Sequence, residues 1–164
     1  MAGLHHRGRM SKAFTSDDAP PPAPPVRTPP RLAPGEVRHV TPEGYRAMRE
    51  ALARHHAAGD PRAALLEGTL AVLTVLGPEG APEGTVAFAT WVTVEDDGGA
   101  LSTWRIVGPD EADPRRGCIS VHSPVARALM GRSSDDRVEV ARPGGVVELR
   151  VVDVSRTPPP WWEG

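Results

Sequence analysis

Proline placement limits what this chain can fold into more than any other feature. Of the 19 prolines in 164 residues, eight lie between positions 20 and 34, in the stretch APPPAPPVRTPPRLAP. Each proline fixes φ and lacks a backbone N–H donor, which excludes a helix or a central strand there. We therefore expect residues 1–40 to form a disordered arm, and about 120 residues to remain for one small core with an appendage.

The charge balance gives the chain no general affinity for polyanions. Its net charge is -2, so no bulk attraction to nucleic acid or to an anionic membrane is expected. Residues 1–38 carry six Arg or Lys against three acids, which leaves open a weak contact of the arm with nucleic acid beside a role as a solubilising tail. Neither a run of 18 apolar residues nor an apolar secretory signal occurs, so we expect a cytoplasmic protein without membrane partners.

Residues 41–77 have the pattern of a short helical hairpin. Thr41 is a candidate N-cap with Pro42 in the first turn, and the GDP stretch at 59–61 breaks the pattern so that Asp60 can cap a second helix. Apolar positions recur at helical spacing on both sides of the break, at Tyr45, Met48, Leu52, Leu65, Leu66, Thr69, Leu70 and Leu73. Two arms of about 16 residues would each reach roughly 24 Å.

Residues 85–156 alternate between apolar and polar positions in short runs separated by turn residues. Five short strands and one helix are predicted, which makes this an α+β domain with an antiparallel, twisted sheet. The helix lies in SVHSPVARALMG, where Ser123 can cap, Pro124 suits the first turn and Gly131 can end it. Residues 157–164 form a tail whose two tryptophans either fold back on the sheet or anchor a partner.

The residues do not point to an enzyme. No nucleotide-binding, hydrolase or metalloprotease motif occurs, and the adjacent histidine pairs are poorly spaced for one metal. We expect Asp110, Glu111 and Asp113 to form a solvated loop that pairs with its own Arg115 and Arg116. Cys118 is expected to pack rather than react. These features favour a small adaptor or binding protein with no catalytic residue, metal or cofactor.

Several stretches carry a family resemblance. The segments VTVEDDGG, WRIVGPDEADPRRGCISVHSPVARALMG and DDRVEVARPGGVVELRVVDV resemble, in order, the C-terminal domain of the bacterial Gre transcript cleavage factors. TPEGYRAMREALA at 41–53 is similar to the start of the Gre coiled coil. MSKAFT at 10–15 resembles the start of the GreB branch, which makes Met10 a candidate initiator.

The resemblance implies an FKBP-like C-terminal domain preceded by an antiparallel coiled coil. Gre factors dock the C-terminal domain on the rim of the RNA polymerase secondary channel. Acidic residues at the coiled-coil tip then help to hold a magnesium ion with which the polymerase itself cleaves the transcript. The resemblance therefore implies a non-enzymatic, monomeric factor that regulates transcription with RNA polymerase as its partner. Nascent RNA would lie near the factor only through the polymerase.

Two departures from the family pattern bear on function. The acidic tip segment, of the form GDLSENAEY in the family, is replaced by HHAAGDP, and the coiled coil resembles that of the shortened Rnk-type regulators. We therefore expect no stimulated cleavage, and either an elongation factor or a competitor that blocks full-length Gre factors. The resemblance assigns polymerase binding to His122, Ser123, Pro124 and Arg127, with His122 standing where the family usually has an acid.

An FKBP-like fold also admits peptidyl-prolyl isomerase activity as a remote alternative, although fold alone is weak warrant for function. Such isomerases need an aromatic-lined pocket. The candidate aromatic residues in the part expected to fold are Tyr45, Phe88, Trp91 and Trp104.

Overall fold

The computed structural model of the protein describes residues 31–162; the prolines from 20 to 30, and most of the expected arm, lie outside that range. The helices and strands in chain order are β1 (Arg38–Val40), α1 (Pro42–Ala57), α2 (Arg62–Leu70), β2 (Leu73–Val75), β3 (Trp91–Asp96), β4 (Leu101–Val107), β5 (Cys118–Ser120), α3 (Pro124–Leu129), β6 (Arg137–Arg142) and β7 (Gly145–Ser155). In residues 31–162, no helix has both the length and the apolar character needed to cross a bilayer.

The helical hairpin forms where the capping residues indicate it. The Thr41 hydroxyl accepts a hydrogen bond from the Gly44 N–H at 3.1 Å, and Pro42 opens α1, whose 16 residues span about 24 Å. After the break, the Asp60 carboxylate accepts a hydrogen bond from the backbone N–H of Arg62, the first residue of α2, at 2.9 Å, while Pro61 occupies the N-cap position one residue later than expected. α2 has only nine residues, so its axis is about half as long as that of α1.

The expected continuation of the second helix through Leu73 is wrong. Leu73–Val75 instead form β2, which pairs in parallel with β1, and the Leu76 N–H extends the pairing to the Val40 carbonyl at 2.9 Å. β-Branched residues at 72, 74 and 75 favour this extended backbone. The pairing also corrects the arm boundary, because Arg38–Val40 are an ordered strand within the range 1–40 expected to be disordered.

The C-terminal part is a five-stranded sheet with strand order β5-β4-β3-β7-β6. Its neighbours are antiparallel except for β4 and β5, which pair in parallel because the long 108–117 loop crosses between them. The α+β class with an antiparallel-rich sheet and one helix is therefore confirmed, with this one parallel pair as an addition.

The first strand of that sheet starts later than its alternating pattern predicts. Ala89 has a φ of 67°, a left-handed conformation that interrupts an extended backbone. The Thr90 hydroxyl stabilises the bend by bonding both the N–H and the carbonyl of Ala87. β3 therefore begins at Trp91, although Val86 and Phe88 are still buried.

The core lies between the sheet and α3. Ala126 and Leu129 on α3 are fully buried against the apolar face of the strands, where Val92, Ile106 and Val151 are also fully buried. Burying a leucine side chain contributes roughly 1.5–3 kcal/mol to folding. The helix that carries the candidate docking residues is thus fixed to the sheet by its inner face.

Candidate functional site

The four residues assigned to polymerase binding lie at one corner of the sheet domain. His122, Pro124 and Arg127 are exposed there, while Ser123 is half-buried. The Ser123 hydroxyl accepts from the Ala126 N–H at 3.2 Å, so it caps α3. The corner therefore presents an imidazole just before α3, and a pyrrolidine ring and a guanidinium group within the first four residues of the helix.

The backbone of this corner is held on both sides. The His122 N–H donates to the Ser120 hydroxyl at 3.2 Å, which ties the turn to the end of β5. The Arg127 N–H donates to the Ser123 carbonyl at 3.0 Å. Because Leu129 anchors the same helix in the core, the exposed groups project from a rigid support.

A second feature, which the sequence analysis missed, joins the hairpin to the sheet domain through the 108–117 loop. Arg38, at the start of β1, binds both carboxylate oxygens of Asp110, at 2.5 Å and 2.9 Å. This hydrogen bonding raises the pKa of Arg38 above its ordinary value. A two-point contact of this kind fixes orientation as well as distance.

Glu111 makes the most extensive of these contacts. One of its oxygens accepts from the Thr41 backbone N–H at 2.7 Å, and the other from the Thr41 hydroxyl at 2.5 Å. The first oxygen also accepts from the Gly108 N–H at 3.2 Å. Since Thr41 is fully buried and caps α1, Glu111 connects the beginning of the hairpin directly to the loop.

A third contact pairs Glu43 of α1 with Arg105 of β4 at 2.8 Å. The Arg105 side chain is buried and its guanidinium lies 4.1 Å from the ring centre of Trp91, a cation–π arrangement. Partial burial acts to raise the pKa of Glu43, but its hydrogen bond to Arg105 and the nearby positive charges lower that pKa on balance.

The expected pairing of the acidic loop with its own arginines is therefore wrong. Asp110 binds Arg38 of β1, and Glu111 binds Thr41 at the start of the hairpin. Asp113 caps a short turn by accepting from the Arg115 backbone N–H at 3.1 Å. Local spacing could not reveal these partners, since Thr41 and Glu111 are 70 positions apart. Burial of Thr41 against the loop brings them together.

The tip of the hairpin carries one carboxylate, and its charge is already matched. Asp60 pairs with Arg62 at 2.6 Å and lies 3.1 Å from the His55 ring. Hydrogen bonds from Arg62, and secondarily from His55, hold the pKa of Asp60 well below its usual range. Across the described stretch of the chain, no three His, Cys, Asp or Glu side chains cluster as metal ligands.

The tail supplies a third feature. Trp162 packs edge-on against Trp91, with ring centres 6.4 Å apart and planes at 82°, so this tryptophan folds back on the sheet. Trp161 lies 6.2 Å from Trp162 and remains 62% exposed. The two rings border an open groove of about 510 Å³ lined also by Trp104, Arg115 and Arg116.

Comparison with known proteins shows what the sheet domain is similar to. Residues 81–156 match the family described as transcription elongation factor GreA/GreB, C-terminal. The chain is 40% identical over 99 residues to GreB of Yersinia pestis, which covers 60% of this chain and 58% of that protein. It is 43% identical over 101 residues to GreB of Pseudomonas aeruginosa, covering 62% and 60%.

A solved GreA/GreB factor from Nitrosomonas europaea is 26% identical, with a TM-score of 0.42, over 72% of this chain and 98% of the other. The chain thus matches 58% and 60% of the length of the two curated relatives. The family match spans β3 to β7, including α3 and its exposed corner. Residues 81–156 of the chain are therefore similar to the C-terminal domain of the GreA/GreB transcription elongation factors.

Proposed function

We propose that this chain is a non-enzymatic elongation factor that binds RNA polymerase at the rim of its secondary channel. The contact surface is the corner formed by His122, Ser123, Pro124 and Arg127. The observation that carries the proposal is the combination of exposed groups on a rigid support, because a preorganised surface loses little freedom on binding.

The contacts between hairpin and loop support the same proposal. A factor that docks by one domain and directs a second element into a channel needs a fixed angle between them. The bonds Arg38–Asp110, Thr41–Glu111 and Glu43–Arg105 provide three separate points of attachment at the base of α1. Docking through the corner would therefore point the hairpin in one direction.

The hairpin favours a blocking role over cleavage stimulation. With α1 only about 24 Å long, it is shorter than the family's coiled coil, and its tip offers Asp60 alone. A hard divalent cation prefers several oxygen ligands, and this carboxylate is already engaged by Arg62. We therefore propose that the bound factor occupies the channel entrance and competes with full-length Gre factors, as a Rnk-type regulator would.

A backtracked transcription complex tests both parts of this proposal. The chain alone should leave transcript cleavage at the rate of the polymerase itself. Added before a full-length Gre factor, it should slow that factor's cleavage in proportion to its concentration, and Arg127→Glu should weaken the inhibition. Accelerated cleavage by the chain alone would contradict the blocking role. Unchanged cleavage by the full-length factor at micromolar concentrations of the chain would contradict the docking.

Other partners enter this proposal only through the polymerase. Arg46, Arg49 and Arg54 are exposed on α1 and would pass near nascent RNA once the factor is docked. The factor would act in the cytoplasm as a monomer, where the polymerase works.

The isomerase alternative gains no support from three of the four aromatic residues considered for it. Phe88 packs against His39 with ring centres 5.7 Å apart, and Tyr45 lies on α1. Trp91 is covered by Arg105 and Trp162.

A further inference from the structure

The groove beside the tail has the composition of a binding site that the docking corner does not use. Trp104, Trp161 and Trp162 line it together with Arg115 and Arg116. Trp161 is unusual because a large aromatic ring stays 62% exposed at the edge of a concave surface. The groove therefore offers flat apolar faces next to positive charge.

Two positive charges at this groove and one indole donor in the neighbouring cavity are without matching partners. Arg115 and Arg116 are both exposed, and neither forms an ion pair with any described residue. The neighbouring cavity shares Arg116 and Trp162 with the groove, and Trp91 also lines it. The buried Trp91 indole N–H has no acceptor in the part of the chain that the structure describes. A fitting occupant would carry negative charge, apolar rings and carbonyl acceptors, but few N–H donors.

The chain itself contains a segment with these properties outside the described residues. Asp17 and Asp18 are followed at once by APPPAPP, residues 19–25. Prolines supply carbonyl acceptors and no N–H, and proline-rich segments dock in aromatic-lined grooves with little loss of conformational freedom. The acidic pair complements Arg115 and Arg116 in charge.

Five residues join the segment to the described part of the chain. Arg38 is bonded to Asp110, and at most roughly 14 Å of main chain separates Asp110 from Pro114 in the groove wall. Residues 31–37 keep the path that the structure describes, with a turn between Ala33 and Glu36. The five residues 26–30, which span roughly 17 Å when extended, would make the final approach of the segment to the groove.

We propose that residues 17–25 of this chain dock intramolecularly in the groove, with prolines on the Trp161 and Trp162 rings and the two aspartates beside Arg115 and Arg116. The docked segment covers Trp161 and ties the N-terminal arm to the sheet domain. This assignment does not depend on polymerase binding, and its test contains no polymerase.

The indole N–H resonance of Trp161 in the ¹⁵N-labelled full chain reports on the groove, and its loss in Trp161→Phe assigns it. Replacing Asp17 and Asp18 by Arg should shift this resonance toward the value of a free indole. Replacing the five prolines at 20, 21, 22, 24 and 25 by Ser should do the same. The matched control, Pro29→Ser with Pro30→Ser, lies outside the docking segment and should leave the resonance in place.

Charge reversal provides the sharper arm of the test. The double substitution Arg115→Asp with Arg116→Asp should by itself release the segment. Combining it with Asp17→Arg and Asp18→Arg should restore the original Trp161 resonance. If the position of the Trp161 resonance is the same in every variant of residues 17–25, the proposal is overturned. A resonance that changes on dilution would also overturn it, since the occupant would then be a second copy. A response to single-stranded RNA together with indifference to the arm would assign the groove to nucleic acid instead.

Discussion

Glu111 accepts hydrogen bonds from both the backbone N–H and the hydroxyl of Thr41, at 2.7 Å and 2.5 Å, across 70 positions of sequence. Thr41 also caps α1, so one carboxylate of the sheet domain holds the residue from which the hairpin starts. The proposal that docking directs the hairpin depends on this connection. The same connection leads to a stability prediction that can be tested without polymerase.

Glu111→Ala should lower the free energy of unfolding by roughly 2 kcal/mol, because it leaves the buried Thr41 donors without an acceptor. Glu111→Gln keeps one acceptor oxygen and should cost about half as much. Urea denaturation followed by circular dichroism measures both changes.

Glu50→Ala is the matched control for that prediction. Glu50 is an exposed carboxylate on α1, with no hydrogen bond or ion pair to the rest of the described chain, and its loss should change stability by less than about 0.5 kcal/mol. Equal effects at positions 50 and 111 would show that the Thr41 contact contributes nothing to the fold.

The Glu43–Arg105 pair predicts a pH-dependent contribution to stability. The pKa of Glu43 is lower in the folded protein than its ordinary value of 4.5, so its stabilisation is present above pH 4.5 and disappears as pH falls through the folded pKa. Because the Glu43 side chain is 57% exposed, the contribution should be below about 1 kcal/mol.

Urea titrations at several pH values check this prediction with Glu43→Gln. The variant should be less stable than the unmodified chain at pH 7, and the difference should shrink as the pH falls below 4.5 and Glu43 becomes protonated. A difference that stays constant over this range would exclude the ion pair as its source.

Ser123 allows capping to be separated from partner contact. Ser123→Ala removes the cap and should cost roughly 1 kcal/mol, whereas Ser123→Asp keeps an acceptor for the Ala126 N–H and should cost much less. Thermal unfolding measures both. If the Ala and Asp variants unfold at the same temperature, the Ser123 hydroxyl does not stabilise α3.

Cys118 should behave as a packed thiol. Burial raises its pKa above the ordinary value of 9.0, so little thiolate exists at neutral pH. Alkylation of the native chain by iodoacetamide at pH 8 should be slower than alkylation of the same chain in urea. A native rate equal to the unfolded rate would show that Cys118 is accessible and unperturbed.

Local chemistry made much of this fold predictable. Thr41 with Pro42 marked the start of α1, and Ser123 with Pro124 marked the start of α3, because caps and first-turn prolines act over three or four residues. The corner at the start of α3 follows from the same short-range pattern, whereas its proposed role in docking came from the resemblance.

Features that depend on partners distant in sequence could not be predicted from the sequence alone. The apolar pattern at Leu73 fits a helix or a strand equally well, and only β1 decided in favour of the strand. The Glu111 carboxylate resembled a solvated loop acid because its partner, Thr41, is remote in sequence. The backfolding of Trp162 likewise required Trp91 to be in place.

Direct binding to core RNA polymerase tests the central claim most simply. The full chain is titrated with core RNA polymerase by calorimetry or interferometry, alongside the variant Arg127→Glu and the control Arg142→Glu. A label is placed at Cys118 only if it leaves the fold intact. Arg142 is exposed at the end of β6 and makes no ion pair within residues 31–162. Docking through the corner predicts micromolar or tighter binding that Arg127→Glu weakens roughly tenfold and Arg142→Glu leaves unchanged. Absence of binding, or equal weakening by both substitutions, would contradict it.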